Sequence, residues 1–191
     1  MNNFLKIAHG VDVSAAILSV WQHPELFNQF TLRTKAEGSP HKEVEDIWLR
    51  MNDLEKCRQA TEKAELYDHR ESINYPAWSI LQPVQSLILA TATMVRATRI
   101  GRCFISKMKP GAQIGRHKDI GDDLSVYYDN EPYYSRFHLV LNGEPGSLFL
   151  CGDEQVTMRT GELWSFRGDI EHEVINNSAA DRIHLVMDLK C

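Results

Sequence analysis

At 191 residues, with 43% hydrophobic and 25% charged side chains, the chain is long enough to bury one sizeable core and has the balance of a water-soluble globular protein. A formal net charge of -5 argues against a protein that grips nucleic acid through clustered Lys and Arg. No apolar run approaches the ~20 residues of a membrane span. Met1 to Trp21 is interrupted by Lys6, His9 and Asp12, and Cys57, Cys103, Cys151 and Cys191 form no Cys-x-x-Cys pair, so the expectation is a cytoplasmic protein with reduced thiols.

Residues 1–96 read as a mainly helical support region. Val13 to Phe30 carries Ala15, Ile17, Leu18, Trp21, Leu26 and Phe27 at roughly helical spacing, interrupted by Pro24. Val44 to Leu66 is rich in Glu, Lys, Arg and Ala and suits an exposed helix, and Trp78 to Val95 a more apolar one. Gly38-Ser39-Pro40 and Asn74-Tyr75-Pro76 read as turns. Ser39-Pro40-His41 followed by Asp46 to Arg50 is a distinctive stretch to which the sequence attaches no chemistry.

From residue 97 to 191 the texture changes to short strands. Arg102 to Met108, Ser135 to Leu141, Ser147 to Cys151, Gln155 to Met158, Leu163 to Phe166, His172 to Asn176 and Ile183 to Leu189 are separated by turn signals such as Lys109-Pro110-Gly111 and Pro145-Gly146. The pattern predicts a single α+β domain, with helices supporting a strand-rich sandwich or small barrel. Ile120 to Tyr134, acidic and rich in Tyr, has the length of a lid or binding loop.

Side chains alternate across a strand, so residues two apart share a face. Phe137, Leu139 and Leu141 make one face of one strand, and Ile183, Leu185, Met187 and Leu189 one face of another. Both fit a core under the helices. The opposite faces both open with Arg-x-His, namely Arg136 with His138 and Arg182 with His184. Such a face either meets solvent or lines an interior; a buried arginine then requires an anionic partner, for which a carboxylate matches the guanidinium fork.

His117-Lys118-Asp119 places an imidazole and a carboxylate on one side of an extended segment. Alone it is a weak signal, equivalent to a surface pair after a turn. With His172 from a distant strand it makes two His and one carboxylate, the facial set of non-haem Fe(II) oxygenases. Arg182, ten residues after His172, would hold the far carboxylate of a 2-oxo acid chelated to the iron.

Residues 103–189 resemble the aspartyl/asparaginyl β-hydroxylase family of Fe(II)/2-oxoglutarate dioxygenases, which includes bacterial free-proline hydroxylases. The matching stretches are Pro110-Gly111 before His117, Ser135 to Leu139, Gly161 to Phe166, Glu171-His172-Glu173-Val174 and Arg182 to Asp188. The resemblance implies a double-stranded β-helix core (jelly-roll, cupin-like) and a hydroxylase that uses Fe(II), 2-oxoglutarate and O₂. It implies His117, Asp119 and His172 as metal ligands, Arg182 as the cosubstrate anchor, Arg136 at a cosubstrate or substrate carboxylate, and His138 close by. Asp119 places the chain with the bacterial, three-ligand members, since the vertebrate ones lack a carboxylate there. The expected partner is a small-molecule or peptide substrate, with no membrane and no nucleic acid. Two other readings fit the residues alone: a metal-free module that binds a small acid, and another metalloenzyme on the same scaffold, such as a zinc hydrolase.

Overall fold

The computed structural model describes residues 2–59, 72–119 and 134–191. In chain order they form β1 (Phe4–Ala8), α1 (Ser14–Gln22), α2 (Leu32–Lys35), β2 (Val44–Asn52), α3 (Leu54–Gln59), β3 (Ser72–Asn74), α4 (Pro76–Ile80) and α5 (Gln82–Met94). Then follow β4 (Arg99–Met108), β5 (Gln113–His117), β6 (Ser135–Asn142), β7 (Ser147–Cys151), β8 (Glu154–Val156), β9 (Leu163–Phe166), β10 (His172–Asn176) and β11 (Arg182–Lys190). Pro76 and Pro83 sit in the first turns of α4 and α5, where a missing N–H costs nothing.

Among the described residues every strand pair is antiparallel. The larger sheet has the order β1-β9-β6-β11-β4-β2-β3, and the smaller one β5-β10-β7-β8. Phe4, Met108, Val140 and Phe166 from the larger sheet pack against Ile114, Phe149, Cys151 and Val174 from the smaller one. The two sheets thus face each other as a double-stranded β-helix with helices on one outer face, an α+β fold.

That outer face follows from the strand alternation. Phe137, Leu139, Leu141, Ile183, Leu185, Met187 and Leu189 pack as one cluster with Ala16, Ile17 and Val20 of α1, Ala77 of α4 and Val84, Ile88 and Ala92 of α5. Burying each of the larger side chains contributes roughly 1.5–3 kcal/mol. No helix among the described residues is long and apolar enough to cross a membrane.

Of the expected exposed helix at Val44 to Leu66, residues 44–52 are not helical. Residues 44–52 are strand β2, paired with β4 on one side and β3 on the other. Its charges misled the reading, because the strand is buried on both faces: Ile47 and Leu49 join the helix-packed cluster, while Trp48 and Met51 join a second one with Tyr75, Phe104 and Val186. A strand covered on both sides loses the period-2 signal. Beyond it, α3 holds residues 54–59, and the rest of that expected helix lies outside the described residues, as does the Tyr-rich segment except Tyr134. Residues 1–96 therefore supply three strands of the larger sheet as well as helices, and β1 and β5 were not foreseen.

Candidate metal and cosubstrate site

The register between β5 and β10 sets His117 directly opposite His172. Asp119, two residues past the end of β5, donates its backbone N–H to the Gly168 carbonyl at 2.9 Å, which stitches it to the turn before β10. Gly168 permits this approach: a Cβ there would lie 3.1 Å from both Cβ and Oδ2 of Asp119.

The two imidazoles are fixed by their hydrogen bonds. His117 Nδ1 donates to the Gly115 carbonyl at 2.7 Å, and His172 Nδ1 to the Ile170 carbonyl at 2.9 Å. A carbonyl only accepts, so Nδ1 of each ring carries a proton, which leaves Nε2 as the lone-pair atom of the neutral ring. His117 Nε2 is 3.9 Å from Asp119 Oδ1, and His172 Nε2 is 3.7 Å from Asp119 Oδ2. These separations are too long for hydrogen bonds. The three ligand atoms lie within 4.8 Å of one another. Asp119 Oδ2 is buried without a hydrogen-bond partner among the described residues. A carboxylate oxygen stripped of water is costly unless something cationic meets it, and a metal ion held by His117, Asp119 and His172 fits that need. Burial, and then the neighbouring His172, hold the His117 imidazole below its ordinary value, which favours the neutral, ligating form.

The trio opens on a cavity lined by both sheets. Arg182 and Arg136 both reach it and differ in charge balance. Arg136 donates from Nε and Nη2 to the two oxygens of buried Asp188 at 2.7 and 3.0 Å, and from Nη1 to Asp119 Oδ1. Arg102 also donates to Asp188, at 3.0 Å. Arg182 is 3% exposed and has no carboxylate within reach among the described residues. Its nearest polar neighbours are His184 Nδ1 at 3.1 Å and Met108 Sδ at 3.6 Å, with the Phe149 ring centroid at 5.9 Å. Burial pushes its guanidinium down to about 9.

His138 and His184 complete this face. Arginine only donates, so His184 Nδ1 accepts from Arg182 and carries no proton. The contact from His138 Nδ1 to the same atom, 3.3 Å, then runs from His138 to His184. Both Nε2 atoms are buried without a partner. Burial above all holds both imidazoles well below their ordinary value.

The structure thus brings His117, Asp119, His172, Arg136, His138 and Arg182 to one cavity. It adds three residues that the sequence did not mark as site residues: Ser106 on β4, Arg33 on α2, and His41 before β2. The only sequence signal for them was the unexplained stretch that begins at Ser39 and contains His41.

Residues 40–191 match the model of the aspartyl/asparaginyl β-hydroxylase family. No curated protein matches the chain. Among solved structures, it is similar to a 2OG-Fe(II) oxygenase family oxidoreductase from Burkholderia pseudomallei, with 19% identity, TM-score 0.51, and coverage of 84% of this chain and 74% of that one. It is also similar to a prolyl-4-hydroxylase from Pseudomonas putida, with 16% identity, TM-score 0.53, and coverage of 100% and 93%. A third is the viral collagen prolyl hydroxylase of Paramecium Bursaria Chlorella virus-1, in a 2OG complex, with 10% identity, TM-score 0.57, and coverage of 100% and 96%. At these identities the likeness is one of fold.

Proposed function

The chain belongs to the aspartyl/asparaginyl β-hydroxylase family, and from that premise we propose that it is an Fe(II)- and 2-oxoglutarate-dependent dioxygenase. Its substrate would be an amino acid, a peptide or protein side chain, or a small metabolite, hydroxylated at a C–H bond. One observation carries the reading: a convergent His-Asp-His set and a buried guanidinium with no anion among the described residues share one cavity. The first calls for a cation, and the second for a carboxylate. The similar structures, an oxygenase and two prolyl hydroxylases, support the same chemistry.

On this reading His117, Asp119 and His172 hold Fe(II), which with 2-oxoglutarate and O₂ supplies the oxidant that replaces hydrogen by hydroxyl and leaves succinate and CO₂. Arg182 receives the distal carboxylate of 2-oxoglutarate, its charge unspent until then. Arg136, locked on Asp188, holds Asp119 Oδ1 and so turns Oδ2 toward the metal position. The family resemblance also sets Arg136 near a cosubstrate or substrate carboxylate, with His138 close by. Phe149 and Phe166 line the cavity next to His172 and His138 and exclude water from the reacting centre.

The test is an anaerobic visible spectrum of the metal-free protein given Fe(II) and then 2-oxoglutarate. We expect a weak charge-transfer band that neither component shows alone and that Arg182→Ala weakens or removes. Asp119→Ala should cut substrate-coupled turnover by more than the roughly 10–100-fold typical of losing an outer-shell partner of a metal ligand. Iron binding without a band would sink the 2-oxoglutarate mechanism in favour of another metalloenzyme. Full activity in Asp119→Ala would remove that residue from the ligand set.

A further inference from the structure

The stretch from Ser39 through Asp46 builds one wall of the cavity together with α2. Ser39 Oγ donates to the Arg33 carbonyl at 2.6 Å and accepts the His41 backbone N–H at 3.1 Å, so one hydroxyl ties the two residues together. The Pro40 carbonyl accepts the Gly115 N–H at 3.1 Å, and the Gly115 carbonyl is the acceptor that orients His117. The His41 ring meets the His117 ring edge-on, with centroids 4.8 Å apart. The wall is thus docked directly on a metal-ligand strand.

Its two side chains are placed but not spent. Arg33 donates from Nε and Nη2 to the two oxygens of Asp46, both at 2.7 Å, and the Asp46 side chain is wholly buried. The guanidinium lies 4.6 Å from the Phe104 ring centroid and lines the cavity. Its Nη1 makes no hydrogen bond among the described residues. His41 also lines the cavity, and its Nδ1 is buried with no partner among the described residues.

This wall is separate from the Arg182 end. Arg182 stands opposite Met108 in the β11–β4 register, whereas Arg33 sits over Phe104, four residues back on β4. Four residues of strand span roughly 13 Å. Arg33 also lies outside the stretch that the family pattern covers. We propose that Arg33 and His41 form a second anion subsite that takes the carboxylate of the primary substrate, which makes that substrate a carboxylic acid. The proposal rests on the oxygenase reading of the metal trio. A carboxylate suits the subsite better than a phosphate, because Asp46 already neutralises most of the Arg33 charge and leaves donors for a monoanion. Held there, the acid lies beside His117, with its carbon skeleton directed along the cavity toward the metal position.

The test is calorimetric, on the full chain loaded with redox-inert Mn(II) and 2-oxoglutarate. The probes are the free protein amino acids and simple aliphatic acids, each paired with its carboxamide. At least one acid should bind, and its amide roughly 10- to 100-fold more weakly, the range for losing a hydrogen bond to a charged group. Arg33→Gln should erase that preference while the affinity for 2-oxoglutarate stays unchanged. That variant leaves Asp46 buried and unpaired and could fail to fold. His41→Phe keeps the Arg33–Asp46 pair and should weaken the acid about tenfold, again with 2-oxoglutarate unaffected. Amides binding as well as acids would overturn the proposal. So would no acid binding while 2-oxoglutarate binds, or either substitution weakening 2-oxoglutarate as much as the acid. An acid that binds through Arg33 to a protein unable to bind 2-oxoglutarate would sink the oxygenase reading and leave the subsite standing.

Discussion

Strands β6 and β11 present two unlike faces, and the contrast explains how one sheet serves both stability and chemistry. The face toward α1, α4 and α5 is wholly apolar, from Phe137 through Leu141 and from Ile183 through Leu189. The face toward the smaller sheet carries Arg136, His138, Arg182, His184 and Asp188, all buried or nearly so. Each apolar residue adds stability by leaving water. Each buried charge or orphaned imidazole nitrogen subtracts from it. The second face is tolerable because it shares its strands with the first, and among the described residues it leaves Arg182 without a counter-charge and Nε2 of His138 and His184 without a partner.

If the faces differ in this way, substitutions on them must differ in kind. The largest stability effect belongs to the apolar side. Leu185→Ala, at a fully buried position in the helix-packed cluster, should cost about 2–5 kcal/mol. Urea unfolding of the metal-free protein measures it, and the affinity of the molecules that remain folded for 2-oxoglutarate should not move. A loss well under 1 kcal/mol would mean that the helices, rather than this face, carry the stability.

The polar side predicts acid lability. Burial holds His41, His138 and His184 below the ordinary imidazole value. The unfolded chain takes up a proton on each near pH 6.5, while the folded chain does not. The unfolded state therefore binds more protons, and stability rises with pH in that window. The contribution is complete above pH 6.5 and is lost as pH falls below it, at about 1.4 kcal/mol per pH unit for each histidine. Three give a slope of roughly 4 kcal/mol per pH unit, to which His117 adds a smaller share, and replacing both His138 and His184 by Leu should remove roughly 3 kcal/mol per pH unit of it. Denaturation midpoints between pH 7 and 5 test this. A slope that survives the double replacement would place the acid-sensitive groups elsewhere.

Much of this contrast was legible in the sequence, for a physical reason. Strands β6 and β11 are buried on both faces, but one face is apolar and the other carries polar groups, so the period of two survived and both strands showed their apolar stripe and their Arg-x-His ends. The His117–Asp119 spacing was equally visible, because a metal site on a strand end needs only local alternation. What brought His172 to His117 was a cross-strand register, for which order along the chain gives no more than a hint. Strand β2 was misread because Asp46 and Arg50 look like helix surface until their partners are seen: Arg33 for the first, and Asn74 with backbone carbonyls for the second. The Arg33 wall was invisible for the same reason. Its parts are joined by one serine hydroxyl and one buried ion pair, not by periodicity.

The smallest predicted effect is the most pointed, because its sign opposes intuition. Arg182→Met removes a buried guanidinium with no counter-charge among the described residues and fills its place with apolar volume. Replacing buried ionic groups by apolar ones is often stabilising by 1–4 kcal/mol, and here we expect about 1 kcal/mol or more in the metal-free protein. His184 Nδ1 still accepts from His138, so the substitution orphans no new acceptor. The same change should abolish 2-oxoglutarate binding. Adding saturating metal stabilises both proteins, and adding 2-oxoglutarate then reverses the order of thermal stability, because only the parent gains the free energy of 2-oxoglutarate binding, about 2.7 kcal/mol at a hundredfold excess over Kd. Were the metal-free variant instead less stable than the parent, Arg182 would already be neutralised inside the fold. The polar face would then be a second structural core, and the distinction between the two sides of β11 would collapse.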